Sequence, residues 1–376
     1  MSSVSVLIKP VSGKCNMKCE YCFYCDLAQH RDVADYGRMS EETLEAIVRE
    51  VFAVADQSAA FSFQGGEPSL RGLNFFRRFI ELQKQYNVRN IPVSNCLQTN
   101  GLLIDENWAR FLGENHFLVG LSLDGPREVN DRFRKLLDGN GSYASVMSAA
   151  RVMKKHNVDF NILFTLTSES VKNPGKLYSF FRKNGFDFLQ FMPCIDPWDG
   201  KRGKNSYSLL PQEFGIFLRK FFDRWKEEIL SGGSVSVRYF DNLISMAAGL
   251  PPEACSMRGM CSCQFIFEAD GSCYPCDFYV NEEYCLGNIK DKGLYELFDS
   301  PANKAFLTQG NQISDECRSC KWFRICRGGC RRDRDNESHI NYHCRAYKNF
   351  LEYAWPGINQ VAAYVIRRNN MNENSK

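Results

Sequence analysis

Short β-prone runs alternate with helical segments between residues 4 and 192, and this alternation constrains the fold more than any other feature. The sequence predicts six strands, at residues 4–10, 59–64, 91–98, 117–123, 158–167 and 186–192. Helical spacing of apolar residues predicts helices at 40–55, 73–86, 105–115, 142–157, 174–185 and 211–232. Strands that alternate with helices form parallel βα units. The pattern therefore predicts an α/β domain, either an open doubly wound sheet or a partial barrel, with ligands at the carboxyl ends of the strands.

The chain has 17 cysteines, and most of them fall in two blocks, at residues 15–25 and 255–344. Buried thiols can act as small apolar side chains, and that explanation suits the isolated Cys96, Cys194 and Cys285. It does not suit the blocks. Structural disulfides are rare in reducing compartments, so clustered thiols indicate metal or redox chemistry.

The remaining composition excludes several classes of protein. A net charge of +3 is almost balanced and gives no reason to expect a nucleic-acid partner. The first residues lack the basic and apolar regions of a signal peptide, and no apolar run is long enough to span a bilayer. We expect a cytoplasmic protein without membrane association. Nothing indicates an obligate oligomer, so we expect a monomer.

The first cysteine block contains C-x3-C-x2-C, formed by Cys15, Cys19 and Cys22 directly after the first predicted strand. Iron–sulfur clusters are normally held by four thiolates. Three thiolates would leave one iron open to a substrate or cofactor. The spacing also allows a zinc site in which Cys25 or His30 supplies the fourth ligand.

Motifs at the ends of the following strands separate these alternatives. They are FQGGEP (63–68), LQTNG (97–101) and SLDGP (122–126). Together with CNMKCEYC (15–22), they resemble the radical S-adenosylmethionine (SAM) superfamily. The resemblance implies a [4Fe–4S] cluster on the three cysteines, with SAM bound to the fourth iron. It implies SAM contacts from Tyr21, Gly65, Gly66, Glu67, Ser122, Arg134 and Ile195.

These SAM contacts have distinct roles in the superfamily. Tyr21 would lie beside the adenine, against which the backbone of Ile195 would pack. The turn at residues 65–67 would contact the amino group of the methionine. Ser122 and Arg134 would hold its carboxylate, for which the planar fork of an arginine is well suited. Taken alone, Arg134 would be read as part of a solvated helix surface.

The second block resembles the SPASM extension of peptide-modifying radical SAM enzymes. Cys261 is followed by nine residues, Gly271, four residues and Cys276; C-x2-C-x5-C-x3-C then spans residues 317–330. Eight thiolates suffice for two fully ligated clusters. The resemblance implies a first auxiliary cluster on Cys255, Cys261, Cys276 and Cys330. It implies a second on Cys317, Cys320, Cys326 and Cys344, which makes three [4Fe–4S] clusters in all. Cys263 and Cys273 are alternative ligands.

Further motifs, including FLVGLSLDGP (117–126), YPCDFYV (274–280) and LGNI (286–289), resemble anaerobic sulfatase-maturating enzymes. The resemblance implies oxidation of Cys or Ser in a C/S-x-P-x-R motif to Cα-formylglycine. An unactivated C–H bond must be broken, so a cofactor has to supply a radical. The implied partners are an unfolded or nascent sulfatase peptide and a reductant of the flavodoxin or ferredoxin type.

The same resemblance assigns roles within the active site. Asp277 would be the general base, and we expect the apolar neighbours Phe278 and Tyr279 to raise its pKa. Asp124 and Glu67 are weaker alternatives for the base, and the alternative role of Asp277 is to cap a turn. We expect the substrate to contact Tyr24, Gln64 and Gln98, and its arginine to meet Asp241.

The predicted organisation is a partial (β/α)6 TIM-like barrel at residues 1–235 and a Cys-rich SPASM domain at 236–355. A helix end and a polar tail occupy 356–376. Two other functions remain open. The first is a SPASM peptide maturase that forms thioether or carbon–carbon crosslinks or epimerises residues. The second is a non-catalytic metal-cluster scaffold.

Overall fold

The computed structural model describes residues 1–198 and 200–373. The strands are β1 Ser3–Ile8, β2 Ser58–Phe63, β3 Val93–Thr99, β4 Phe117–Ser122, β5 Phe160–Leu166, β6 Phe188–Pro193, β7 Ser236–Val237, β8 Ile266–Phe267, β9 Ser272–Tyr274 and β10 Gly287–Asn288. All six strands expected in the barrel are confirmed.

The helices include the six expected ones and several short ones that the sequence pattern did not indicate. They are α1 Phe23–Gln29, α2 Glu41–Val54, α3 Leu73–Tyr86, α4 Glu106–Glu114, α5 Arg127–Phe133, α6 Tyr143–Lys155, α7 Pro174–Lys183, α8 Pro211–Leu230, α9 Arg238–Ala247, α10 Leu294–Phe298, α11 Pro301–Gly310, α12 Asp315–Arg318, α13 Phe323–Cys326 and α14 Cys344–Glu373. Among these residues, no helix is both long and apolar enough to cross a membrane.

One sheet runs through the molecule in the order β10-β9-β8-β1-β2-β3-β4-β5-β6-β7. Strands β1 to β6 are parallel and follow their chain order. A doubly wound sheet reverses its order at a switch point, whereas this sheet does not. Strand β1 pairs with β8 and not with β6, so the barrel is left open on one side. The predicted partial barrel is confirmed.

The outer face of the barrel strands carries the apolar core. Phe61 and Phe63 are fully buried against Phe76 and Phe79, with edge-to-face contacts at ring-centre distances of 4.8–5.2 Å. Such ring pairs add about 0.5–1.5 kcal/mol each beyond the area they bury. Aromatic packing between the strands and their helices therefore holds the barrel together.

The inner face of the same strands is small and polar. Alternate residues of each strand are buried against the helices, and the others face the lumen. The strand residues on this face include Leu7, Ser62, Cys96, Gln98, Gly120, Ser122, Leu163, Thr165, Gln190 and Met192, and Lys9 and Gln64 continue it beyond β1 and β2. In the sheet register, Ser62 pairs with Leu7 and Cys96, and Gln98 pairs with Gly120. Closed TIM barrels fill this space with bulky branched residues. This barrel has room for a ligand.

The Cys-rich C-terminal residues continue the barrel sheet. Strands β8, β9 and β10 form an antiparallel meander that begins beside β1. Helix α14 begins at Cys344 and packs on α8 and α9. The predicted boundary at residue 355 lies inside this continuous helix. The last predicted tail residues, 374–376, lie outside the described residues.

Candidate active site

The first three cysteines lie in a loop that follows β1 and is tied to the segment after α5. Backbone bonds run from Lys18 N to Lys135 O (2.8 Å) and from Glu20 N to Phe133 O (3.1 Å). This pairing fixes the loop over the carboxyl ends of the strands. The expected cofactor-binding end of the barrel therefore holds the expected thiols.

The three thiols differ in their surroundings. Burial raises the pKa of Cys15 to about 11 and that of Cys19 to about 12. A hydrogen bond from Cys25 lowers the pKa of Cys22 to about 6. Cys25, which had no place in the three-thiol motif, thus contacts the third thiol. Metal binding deprotonates thiols, so loading this site with iron would release protons.

The thiols interact electrostatically with one another. In the described part of the chain, no three Cys, His, Asp or Glu side chains converge as ligands of a single metal ion. Cys15, Cys19 and Cys22 lie close enough to influence one another's pKa, and three thiolates are the donor set of a cluster with one open iron.

The glycine turn after β2 interlocks with the cysteine loop. Gly66 N donates to Ser12 O (2.9 Å), and Glu67 N donates to Lys14 O (2.8 Å). A Cβ on Gly66 would lie 1.9 Å from the carbonyl oxygen of Lys14, which excludes any side chain. Gly65 has a φ of +118°, a conformation that favours glycine. The backbone of this turn therefore packs directly against the residues that lead into the cysteine motif.

The side chain of Glu67 serves the fold. It is completely buried and accepts hydrogen bonds from Ser69 N, Ser69 Oγ, Thr99 Oγ1 and Asn100 N at 2.6–3.1 Å. Burial raises its pKa despite these donors. The carboxylate joins the ends of β2 and β3, and its oxygens already accept these hydrogen bonds. The amino group of a bound SAM methionine would therefore contact the backbone carbonyls of residues 65–67.

Three expected SAM contacts gather at the ends of β3 and β4. Arg134 Nε lies 3.1 Å from Asp124, and Tyr21 donates a hydrogen bond to the same carboxylate. Ser122 Oγ accepts from Gln98 Nε2 at 3.0 Å. Asp124 was not among the predicted cofactor residues, although it lies in the SLDGP motif. It holds both Tyr21 and Arg134 in place.

Asp277 lies at the lumen beside the first cysteine loop. Its Oδ2 accepts from Tyr24 Oη at 2.5 Å and lies 3.5 Å from Gln64 Nε2. Its Oδ1 lies 2.8 Å from the ammonium of Lys9. The apolar neighbours Phe278 and Tyr279 are therefore only part of its environment, because the carboxylate is also ion-paired. Lys9 was missed by the sequence analysis, although its position continues the lumen face of β1.

The C-terminal thiols divide into the two expected sets. Electrostatic interactions connect the first set, which is Cys255, Cys261, Cys276 and Cys330. Others connect the second set, which is Cys317, Cys320, Cys326 and Cys344. The alternative ligands Cys263 and Cys273 interact with each other instead. Burial raises the pKa of Cys326 to about 11 and that of Cys276 well above its ordinary value.

Arg334 ties the loops that carry both sets. It is 5% exposed, and all five of its N–H groups donate to backbone carbonyls at 2.8–3.4 Å. The acceptors are Gly259, Gly310, Gln312, Gly328 and Gly329. An arginine in a charged run gave no signal of this role.

A cavity of about 1140 Å³ extends from the lumen to the first auxiliary thiols. Ile195, Asp277 and Cys276 line it. Asp241 is not one of its lining residues. Its carboxylate accepts from Ser236 Oγ at 2.6 Å, and burial raises its pKa to about 6. The wall instead carries Glu253, which forms an ion pair of 2.8 Å with Arg238.

Two family models match the chain, the radical SAM superfamily at residues 10–181 and an iron-sulfur cluster-binding domain, SPASM, at residues 255–321. The fold and the thiol sets thus define a radical SAM protein with a cluster-binding extension. A cysteine-type anaerobic sulfatase-maturating enzyme of Clostridium perfringens is 48% identical over 96% of this chain and 99% of its own length. The chain belongs to the anaerobic sulfatase-maturating enzyme family.

More distant and structural relatives agree. A serine-type enzyme of Bacteroides thetaiotaomicron is 32% identical over 93% of this chain and 89% of its own. The solved structure of anSMEcpe with bound AdoMet and the Cp18Cys peptide superposes with a TM-score of 0.92, at 46% identity over 96% and 99% of the two chains. Streptococcus suis SuiB shares the fold, with a TM-score of 0.62 at 16% identity over 90% and 76%.

Proposed function

We propose that this chain oxidises a peptidyl cysteine of a sulfatase to Cα-formylglycine, within a C-x-P-x-R motif. Relatives named cysteine-type are 44–48% identical to the chain. Those named serine-type are 28–32% identical. This difference favours a thiol over a hydroxyl substrate.

The thiols fit three [4Fe–4S] clusters, held by Cys15, Cys19 and Cys22 and by the two auxiliary sets. When bound, these clusters and SAM supply the 5′-deoxyadenosyl radical that removes the Cβ hydrogen, and they take up the electron that the substrate loses. The proposed SAM contacts are Tyr21, the backbone of residues 65–67, Ser122, Arg134 and Ile195. Tyr21 and Arg134 both contact the carboxylate of Asp124, just after Ser122 at the end of β4, and this grouping supports the proposal.

The position of Asp277 is the observation that carries the mechanism. It follows the auxiliary ligand Cys276 and contacts Tyr24 beside the first cysteine loop, so it lies between the two redox sites. In the proposed reaction, Asp277 accepts the proton of the substrate thiol. Loss of the Cβ hydrogen atom, this proton and one electron leaves a thioaldehyde. Water hydrolyses it to the aldehyde and hydrogen sulfide.

The lumen supplies the peptide site in this proposal. Its small side chains leave space for an extended segment, and Gln64 and Gln98 offer amide groups near the reacting carbon. The substrate arginine was expected at Asp241, which lies outside the cavity wall. Glu253 on that wall is the better carboxylate for it. The proposed partners are an unfolded or nascent sulfatase peptide and a flavodoxin- or ferredoxin-type reductant.

Anaerobic turnover tests this function. The reconstituted protein is incubated with reductant, SAM and a C-x-P-x-R peptide, and the products are analysed by mass spectrometry. We expect an aldehyde at the cysteine together with 5′-deoxyadenosine, and a slower reaction with the S-x-P-x-R peptide. Formation of 5′-deoxyadenosine with an unchanged peptide would contradict the substrate assignment. Absence of both products would contradict the radical reaction itself.

A further inference from the structure

Lys9 is a buried lysine at the carboxyl end of β1. Its side chain is 1% exposed, and its ammonium lies 2.8 Å from Asp277 Oδ1 and 3.5 Å from Glu268 Oε1. The ammonium also lies 4.9 Å from the ring centre of Tyr24. A buried charge is costly unless it is paired. The two carboxylates pair the buried ammonium and offset that cost, and one of them is the carboxylate proposed as the base.

A second ion pair supports Lys9 from behind. Glu268 is also 1% exposed and lies 2.7 Å from Arg31 Nη1. Arg31 in turn donates to Ser12 Oγ (3.1 Å) and to Ala34 O (2.8 Å). The charges alternate in sign from Arg31 through Glu268 and Lys9 to Asp277. In this row of four charges, the ammonium of Lys9 is held between the carboxylates of Glu268 and Asp277.

The two oxygens of Asp277 consequently have different partners. Oδ1 faces the ammonium of Lys9, while Oδ2 faces Tyr24 and Gln64. Without the cation, the carboxylate of Asp277 could rotate about its terminal bond, and Glu268 would keep Arg31 and Ser12 as partners. Misplacement of a catalytic group by about 1 Å can lower a rate about 100-fold.

We propose that Lys9 is a positioning residue that directs Oδ2 of Asp277 toward Tyr24 and the substrate thiol. The inference rests on the proposed function, in which Asp277 takes the thiol proton. A purely structural ion pair would be the other role for Lys9. The backbone of Lys9 is already held by its N–H bond to Phe267 O at 2.8 Å, so the side chain is not required to join β1 to β8.

The first experiment measures formylglycine and 5′-deoxyadenosine together in the holoenzyme. We expect Lys9→Met to lower the ratio of formylglycine to 5′-deoxyadenosine about 10- to 100-fold with little change in KM for the peptide. Lys9→Arg should restore part of this loss. Lys172→Met, which removes an exposed lysine from a surface pair with Glu169, is the matched control and should leave the ratio unchanged. An unchanged ratio in Lys9→Met would overturn the proposal.

A double-mutant comparison separates positioning from structure. If Lys9 acts through Asp277, then Lys9→Met should cost nothing further in the Asp277→Asn background. Equal losses in both backgrounds would refute the inference. If Asp277→Asn alone retains the wild-type ratio, the base assignment fails first. An absence of formylglycine from the wild-type protein would count against the proposed function instead.

A crystal structure of the Lys9→Met protein gives a readout that is independent of turnover. We expect the Asp277 carboxylate to be rotated away from Tyr24. An unchanged carboxylate would refute the positioning role. Should Lys9→Met fail to fold, Glu268→Gln weakens the support of Lys9 while retaining the side-chain volume, and a smaller loss of the same ratio is expected.

Discussion

Replacing Arg334 with methionine should disorder the loops that carry the C-terminal thiols, while the first cysteine loop of the barrel keeps its structure. Methionine retains much of the apolar stem but removes all five donors. At a net ~1 kcal/mol per hydrogen bond, a value that already includes the exchange with water, the loss would be about 5 kcal/mol. Whole domains are stable by only about 5–15 kcal/mol. The loops that carry the C-terminal thiols should therefore be ordered only marginally.

Iron content provides the assay for Arg334→Met. The wild-type protein should bind about twelve irons and the variant about four, because only the first cluster keeps its loop. SAM cleavage to 5′-deoxyadenosine should persist while formylglycine is lost. Arg324→Met removes an exposed arginine of the same module and serves as the control. Full iron content and an unchanged thermal midpoint in Arg334→Met would refute the reasoning.

Three further predictions concern single contacts. Gly66→Ala should abolish SAM cleavage, since its Cβ would lie 1.9 Å from a carbonyl oxygen of the cysteine loop; cleavage at the wild-type rate would count against this contact. Gly120→Ala should displace Gln98, whose Oε1 lies 2.0 Å from the added Cβ position, so KM should rise for the peptide and, because Gln98 also donates to Ser122, for SAM; unchanged values of both would contradict the displacement. Hydrogen bonds from His156 and Lys155 lower the pKa of Glu106 from 4.5 to about 2. The resulting stabilisation should be present above pH 4.5 and lost as the pH falls toward 2. An NMR titration should show the carboxyl titrating near pH 2, and at a higher pH after His156→Ala, which leaves the bond from Lys155 in place; titration of the wild-type carboxyl near 4.5 would contradict the prediction.

Periodicity predicted the barrel because each strand alternates faces and each long helix has one apolar stripe. It missed α1 and α5, which are too short to show a stripe. Cysteine spacing indicated that the clustered thiols bind a metal centre, but their division into two auxiliary sets came from the resemblance to the SPASM extension.

Neither periodicity nor cysteine spacing could predict contacts between segments that lie far apart in the sequence. Lys9 looked like the polar end of a strand, since its partners lie more than 250 residues away in the sequence. Asp241 was placed by charge alone, although a neighbouring serine satisfies its carboxylate. Arg334 lay in a run of basic residues, and only the folded loops show which of them is buried.

The interleaving of the two auxiliary thiol sets also determines when each set can be completed during biosynthesis. With the proposed ligands, Cys255, Cys261 and Cys276 must wait for Cys330, which a ribosome adds about 3–11 s later at ~5–20 residues per second. The second set needs Cys344 and follows within about 1–3 s. Both auxiliary clusters therefore mature at the end of translation, whereas the first three thiols are available from its beginning. A nascent chain that stops between residues 276 and 330 would expose three unligated thiols to oxidation.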